Sequence, residues 1–208
     1  MDAHRCTLDI MRTSPSTESR PYRMGKRLEE VEATRRRIVE ATVELHGTVG
    51  PSHTTVSGVA DMAGVQRSTV YRHFPDEEAL FSACTSHWFA RHPWPRPDDW
   101  RIDTDGAARL ERGLGELYRY YDENQQMMFN SFRDIAIMPA FVGENLRAQL
   151  ENMHTALVEP WGRPDDQRLQ IAVRHALDFR TWMSLASNGL APGRASELMT
   201  AMVVGLTD

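Results

Sequence analysis

Residues 54–74 of the 208-residue chain read TTVSGVADMAGVQRSTVYRHF, and this stretch decides the fold. From Val56 to Ala63 the apolar residues recur at i, i+3, i+4 and i+7, which is the spacing of a helix with one buried face. Gly64 suits the left-handed residue that closes a helix, and a second short helix can begin near Gln66. The stretch therefore predicts two short helices joined by a tight glycine turn.

The second helix would bury Val70 and Phe74 and would leave a polar face that contains no acidic residue. Two helices joined in this way form a helix-turn-helix, whose second helix lies in the major groove of DNA. Residues at its start come closest to base edges, so Arg67 can contact guanine and Gln66 can contact adenine. Residues farther along can contact phosphates. We predict DNA contacts from Thr54, Thr55, Gln66, Arg67, Ser68, Thr69, Tyr71, Arg72 and His73.

Read with its flanks, the stretch resembles the DNA-binding domain of TetR-family repressors over roughly residues 35–80. The resemblance implies a three-helix DNA-binding domain followed by a helical domain that binds an effector and forms a dimer. The most specific matches are Thr54-Thr55-Val56, Val59-Ala60, Ala63-Gly64-Val65 and Thr69-Val70-Tyr71-x-His73-Phe74.

Thr69, Tyr71 and His73 match positions at which similar repressors contact bases or phosphates. A second role for His73 stays open, because its neighbour Phe74 is expected in the core and the histidine could cap or fill that core. The sequence departs from the family after Phe74, where similar repressors have Phe-x-x-Lys-Glu-x-Leu. Here Glu77 stands at the lysine position, preceded by Asp76, which can cap the next helix.

Composition and charge are those of a globular protein, with 41% hydrophobic and 25% charged residues. The net charge of −5 is unevenly divided. Residues 1–75 hold 11 Lys and Arg against 9 Asp and Glu, a net charge of +2, and residues 76–208 hold 13 against 20, a net charge of −7. This asymmetry is typical of a chain with one end that faces nucleic acid.

Several classes of protein are excluded by what the sequence lacks. It has no run of about 18 apolar residues and no apolar signal-peptide core, so we expect no membrane span and a cytoplasmic location. Two cysteines, Cys6 and Cys84, support no disulfide framework, and we expect neither a metal nor a cofactor. No catalytic motif of the hydrolase, zinc-protease or phosphate-loop type is present, so we do not expect an enzyme.

The first 27 residues mix Arg, Ser, Thr and Pro and predict a disordered basic arm. Two roles remain open for it, a solvated tail or an arm that adds phosphate and minor-groove contacts. Met11 and Met24 could also begin the protein.

The rest of the chain predicts helices only, and the fold class is all-α. We divide it into a helix-turn-helix DNA-binding domain at 28–90 and a helical effector-binding and dimerisation domain at 91–208. A proline-rich linker follows residue 90, with Trp94 and Trp100 expected to fold back on the helices. The predicted helices are about 28–46, 55–63, 66–74, 77–89, 105–123, 125–138, 141–158, 165–188 and 192–206.

The second domain concentrates soft and aromatic side chains, which can line an adaptable pocket for a small apolar or amphipathic effector. A simple hydrophobic core is the alternative for such residues. Its polar candidates Arg133-Asp134, His154 and Arg174-His175 are interpreted as ion pairs or satisfied buried groups. The predicted ligand-binding residues are Tyr118, Tyr121, Met128, Phe132, Met138, Phe141, Trp182 and Met183.

A dimer is expected because one short reading helix contacts little DNA, whereas a two-fold dimer on a palindromic operator doubles the contacts. The resemblance places the interface in the last two helices. Two other functions remain open, a DNA-binding regulator without a ligand and a helical small-molecule carrier that has lost DNA affinity. The predicted interface residues are Trp182, Leu185, Ala186, Leu198 and Met202.

Overall fold

A computed structural model of the protein describes residues 19–206. Every regular element in this described part is helical, which agrees with the predicted all-α class. No helix in it is long and apolar enough to cross a lipid bilayer. The α-helices between residues 19 and 206 are α1 (Ser19–Thr48), α2 (Val56–Ala63), α3 (Arg67–His73), α4 (Glu77–Arg91), α5 (Pro97–Trp100), α6 (Gly106–Glu123), α7 (Gln125–Asp134), α8 (Ala140–Val158), α9 (Gln167–Leu177), α10 (Phe179–Ser187) and α11 (Pro192–Val204).

The first helix begins at Ser19 rather than at Leu28. Residues 1–18 of the predicted arm lie outside the described residues, but the prediction of disorder is wrong for 19–27. Composition indicated disorder because this segment has few apolar residues. A proline in the first turn is compatible with a helix, however, and the Arg, Lys and Glu that follow are good helix formers.

The first of two separate hydrophobic clusters, which we call the head, lies within residues 38–91. Ile38 on α1 and Val70 on α3 are almost fully buried, as the apolar spacing predicted. Phe74, at the end of α3, closes the cluster, and Leu80 of α4 packs against it. These contacts fix α3 on the other head helices through one side only, which leaves its opposite side outward.

The second cluster, which we call the body, lies within residues 97–206 and is centred on α6. Leu110, Leu114 and Leu117 form an apolar stripe along α6, and all three are fully buried. The helix α11 packs along α6 through a face that includes Met199 and Val203. Helices α8, α9 and α10 complete the cluster around α6.

The single long helix predicted over 165–188 is wrong, because the chain breaks at Asp178 between α9 and α10. The Tyr118 hydroxyl donates to the Ala176 carbonyl at 2.8 Å, and the Tyr121 hydroxyl donates to the Leu177 carbonyl at 2.9 Å. Asp178 then accepts a hydrogen bond from the backbone N–H of Arg180 and begins α10. The tyrosines satisfy carbonyls that the end of α9 leaves open, which stabilises the break.

The two tryptophans of the linker do fold back on the helices. Trp100 is fully buried, and its indole nitrogen donates to a carboxylate oxygen of Glu116 at 2.7 Å. Trp94 stacks on Tyr120 with ring centroids 4.6 Å apart. The linker is therefore an ordered part of the body, and α5 is a short helix within it.

Polar side chains at the end of α7 join the body to the head. The Asn130 amide donates to the His46 and Gly47 carbonyls at 2.9 and 3.0 Å, which satisfies two acceptors near the end of α1. The buried Asp134 carboxylate accepts from the backbone N–H and the hydroxyl of Ser52, at 2.9 and 2.8 Å. Arg133 pairs with Asp134 and donates to the Val49 carbonyl.

Gly50 is required at this junction for two reasons. Its φ of +95° lies in a region that favours glycine, and a Cβ there would lie 2.0 Å from an Arg133 nitrogen and 2.8 Å from an Asp134 oxygen. The hydrogen bonds lower the pKa of Asp134 far below its usual range, first through Arg133 and then through Ser52. The junction thus holds Asp134 as a carboxylate.

We expect Asn130→Ala to reduce the free energy of unfolding by about 1–3 kcal/mol, because two buried carbonyls would lose their donor. Asn152→Ala, a matched substitution on the exposed side of α8, should change stability by about 0.5 kcal/mol or less. Urea unfolding followed by circular dichroism measures both. Equal stability of the two variants would show that the Asn130 contacts do not hold the junction.

Candidate nucleic-acid interface

The turn between α2 and α3 sets the direction of the reading helix. Gly64 has φ 65° and ψ 41°, and its N–H donates to the Asp61 carbonyl at 3.2 Å. The N–H of Val65 donates to the Ala60 carbonyl at 2.9 Å. This pair of hydrogen bonds is a Schellman motif, which ends α2 and turns the chain sharply into α3. The predicted glycine turn is present.

The outward face of α3 carries the predicted DNA-contacting side chains. Gln66 precedes the helix in an extended conformation, and Arg67 and Ser68 form its exposed first turn. Tyr71 and Arg72 are exposed one turn later. These five positions present hydrogen-bond donors and positive charge, with no carboxylate among them.

Three of the four remaining predicted DNA contacts are less accessible. Thr54, Thr69 and His73 are half-buried, and the Thr54 hydroxyl donates to the Gly50 carbonyl at 2.9 Å. Thr55 is exposed and caps α2, because its hydroxyl oxygen accepts from the Gly58 N–H at 3.1 Å. The hydroxyls of Thr54 and Thr55 therefore have local structural roles.

The start of α4 is acidic, as the sequence indicated. The Asp76 carboxylate accepts from the Ala79 N–H at 2.7 Å and caps the helix, and Glu77 and Glu78 occupy its first turn. All three carboxylates are exposed. Acidic side chains favour this helix end through its dipole, so a local structural reason for them exists.

The predicted ligand-binding residues divide into two groups. Tyr118, Tyr121 and Trp182 are fully buried in the body, and their rings lie within a connected aromatic cluster with Phe179. Met128 is buried in the hydrophobic cluster of the body, and Phe132 and Met183 are half-buried against that cluster. Met138 and Phe141 are half-buried and do not belong to it.

A surface cleft of about 460 Å³ lies between α6 and α11, lined by charged residues that include Arg112 and Glu197. None of the eight predicted ligand-binding residues lines this cleft. Its open, charged walls do not match an apolar effector.

The predicted dimer-interface residues are also separated by the structure. Trp182 is 0% exposed and packs inside its own body, so it presents no surface to a partner. Leu185 and Ala186 are half-buried against the body cluster. Leu198 and Met202 lie one turn apart on α11 with 43% and 56% of their surface exposed. The predicted interface assumed one helix over 165–188, but the break at Asp178 reorients the helix that carries Trp182.

The polar candidates of the body are satisfied groups, as interpreted from the sequence. Arg174 pairs with Glu151, and buried His154 lies 3.2 Å from the Gln170 carbonyl. Burial lowers the pKa of His154. Sequence reasoning missed the contacts of Asn130 and Asp134 with the head, since nothing local relates α7 to residues more than 80 positions earlier.

A short exposed helix, held on a helical core by a left-handed glycine turn, defines a helix-turn-helix protein. The family model described as "Bacterial regulatory proteins, tetR family" matches residues 38–84, which include α2, α3 and most of the head. Residues 38–84 of this chain therefore form a helix-turn-helix region of the tetR type.

Curated relatives match part of the chain. One is the HTH-type transcriptional regulator TcmR of Streptomyces glaucescens, 35% identical over 67 residues, which are 32% of this chain and 30% of TcmR. Another is the tetracycline repressor protein class A from transposon 1721 of Escherichia coli, 34% identical over 86 residues, 39% of this chain and 40% of that protein. The matches thus span less than half the length of these relatives.

Solved structures resemble the fold over most of the chain. A TetR-like transcriptional regulator from Rhodococcus sp. RHA1 has a TM-score of 0.59 at 16% identity, covering 84% of this chain and 96% of that one. A tetR-family regulator from Streptomyces coelicolor has a TM-score of 0.54 at 21% identity, covering 83% and 78%. At these identities the likeness establishes the fold and not the ligand.

We expect Arg67 and Arg72 to contribute to DNA binding in different ways. Arg67→Ala should relax discrimination at one base pair by about 1–3 kcal/mol, because a bidentate contact to guanine would be lost. Arg72→Ala should weaken binding to all sequences alike and reduce the salt dependence by about one counterion per site. Binding to an operator library at two salt concentrations measures both effects, with the exposed Arg147→Ala on α8 as control. The same pattern for Arg67→Ala and Arg72→Ala would contradict this division of roles.

Glu77→Lys should tighten DNA binding, because a cation would replace a carboxylate at a helix end close to the reading helix. The gain should be equal for operator and random DNA, and the salt dependence should steepen by about one counterion per contacting site. Glu123→Lys makes the same change of charge at the exposed end of α6 and should leave affinity unchanged. Unchanged low-salt affinity of Glu77→Lys would mean that α4 is held away from the DNA backbone.

Proposed function

We propose that this chain is a ligand-responsive transcriptional repressor that binds a palindromic DNA operator as a homodimer. The observation that carries the proposal is the exposed face of α3 from Gln66 to Arg72, which offers base-reading and phosphate-binding side chains without a carboxylate. Its position on a fixed turn supports insertion into a major groove, since the first turn of the helix points outward. The regulatory roles of the curated relatives, a transcriptional regulator and a repressor, support this function.

A dimer is supported by the outer face of α11. Its inner face packs in the body, whereas Leu198, Met202 and, beyond the helix end, Leu206 leave about half of their surfaces exposed. Exposed apolar residues in register along a helix favour a helix-helix interface. We assign this row, with Leu185 and Ala186 of the neighbouring α10, to the contact with a second copy.

An effector is proposed to act through α7. Met128 of this helix is buried in the body, and Asn130 and Asp134, which follow it on the same helix, bind the head. A ligand that displaces body side chains against α7 would therefore alter the carbonyls of α1 and the backbone of Ser52 just before α2. In a dimer this shift favours states whose reading helices no longer match major grooves about 34 Å apart, and the operator is released.

We expect the purified chain to retard DNA from upstream of its own coding sequence and to protect a two-fold symmetric site. Met202→Glu should give monomers and lose most operator affinity, because an ionised side chain cannot enter an apolar interface without a partner. Gel shift measures binding, and light scattering measures the oligomeric state.

Ile102→Glu is the matched control, since Ile102 is 76% exposed and lies in the linker far along the chain from α11. It should remain dimeric and bind normally. A Met202→Glu variant that stays dimeric would overturn the assigned interface. A folded wild-type dimer that retards no upstream fragment would contradict the repressor function.

A further inference from the structure

The indole nitrogen of Trp182 is a buried donor without an acceptor in the part of the chain that the structure describes. The side chain lies at the centre of the body, with ring centroids 5.3 Å from Phe179 and 5.8 Å from Tyr121. A buried Trp N–H usually has a partner, and leaving it unpaired is destabilising. An unpaired donor at such a site therefore calls for a physical explanation.

The neighbouring tyrosines do not share this property. Tyr118 and Tyr121 each donate to a backbone carbonyl at the end of α9, so their hydroxyls are occupied by the fold. Among the predicted ligand-binding residues of this buried cluster, Trp182 is thus the one whose hydrogen-bond donor has no acceptor in the described residues. A molecule that bound beside Trp182 would need an acceptor for the indole N–H. It would not need a group that bonds to the tyrosine hydroxyls, because these are already bonded to backbone carbonyls.

The surroundings of the cluster favour an uncharged molecule. The rings that contact Tyr121 belong to Trp94, Tyr118, Tyr120, Phe179 and Trp182, none of which carries a charge. The pKa of the Tyr121 hydroxyl is raised well above its usual value, mainly by burial and secondarily by the Asp178 carboxylate. Low polarity and a nearby negative charge both disfavour an anion.

Phe132 is a partly exposed member of the aromatic cluster. Half-buried Phe132 stacks on Phe179 at 5.0 Å with an interplanar angle of 10°, and Phe179 in turn contacts Trp182. The neighbouring turn exposes 66% of Ile137. Residues 140–152, which form the first part of α8, contain no buried side chain although Phe141 and Leu146 are apolar. This part of α8 therefore contributes little to the core, apart from half-buried Leu150.

We propose that the aromatic cluster around Trp182 binds an uncharged aromatic ligand whose carbonyl or ether oxygen accepts the indole N–H. The ring of such a ligand would take the place of the half-buried Phe132 ring in its stack on Phe179 and would lie beside Trp182. This inference rests on the proposed effector response, and it specifies the chemical class of that effector.

The test compares two probes of matched shape, 2-acetylnaphthalene and 2-ethylnaphthalene, of which only the first has an acceptor. With ¹⁵N-labelled tryptophan, the wild-type Trp182 indole N–H signal should move to higher proton frequency with the first probe and little with the second. Titration should show the acetyl probe binding about 3- to 10-fold tighter, as expected for one hydrogen bond. The anion 2-naphthoate should bind more weakly than either.

Trp182→Phe keeps an aromatic ring and removes the donor, so the preference for the acetyl probe should disappear. Trp161→Phe is the matched control, since Trp161 also has a buried indole nitrogen without an acceptor in the described residues but packs against Gly106. It should keep the preference. The indole signals of the wild-type protein are assigned by through-bond experiments. The shift of the Trp182 signal can then be measured on the wild-type protein even if a variant does not fold.

Equal binding of the acetyl and ethyl probes, or a preference that survives in Trp182→Phe, would overturn the site. So would a water-to-indole cross-relaxation signal showing that an internal water already accepts the Trp182 hydrogen and is not displaced by the probe. Gel shift separates this inference from the proposed function. DNA binding without any probe preference refutes the Trp182 site alone, whereas absence of DNA binding alongside a clear Trp182 response refutes the repressor and leaves the site supported.

Discussion

The left-handed backbone of Gly64 is the constraint on which the head depends. It allows two backbone hydrogen bonds to close α2 within one residue, and the direction of α3 follows from that closure. Val70 and Phe74 can then reach the core while Arg67 and Arg72 remain outside. A residue with a Cβ would have to adopt a conformation that costs about 1–2 kcal/mol, and any relaxation would rotate the reading face relative to the core.

The body depends on a different kind of interaction, in which side chains satisfy backbone groups at helix ends. Tyr118 and Tyr121 do this for α9, and Asn130 does it for α1. Because each contact joins two elements, the same hydrogen bonds that end helices also fix their relative positions. The junction between body and head is therefore made of directional polar contacts between named groups and not of a deformable apolar surface.

Local chemistry was sufficient to predict the head. Helical spacing placed α2 and α3, the glycine marked the turn between them, and Asp76 marked the start of α4. Periodicity also predicted the buried stripe of α6. It failed at Asp178, because the break is stabilised by tyrosines from more than 50 residues earlier. The prediction for Trp182 also failed. An apolar residue on a second face of a helix can be buried in its own protomer or can contact a partner, and the sequence pattern is the same in both cases. The start of α1 was predicted too late in the chain. The low apolar content of residues 19–27 indicated that they bury little surface, but it did not show that they are good helix formers.

The burial of Cys84 has a consequence for how opening of the head can be followed. Burial raises the pKa of its thiol to about 12, and the sulfur contacts the Phe81 carbonyl at 3.2 Å with the buried His46 ring beside it. Burial also lowers the pKa of His46 to about 4, so this histidine offers the thiol no positive charge near neutrality. A thiol in this state is inert towards alkylating reagents until the helices that cover it separate. The rate at which Cys84 is alkylated therefore reports how often α1 and α4 separate. No label needs to be introduced to follow the opening of the head.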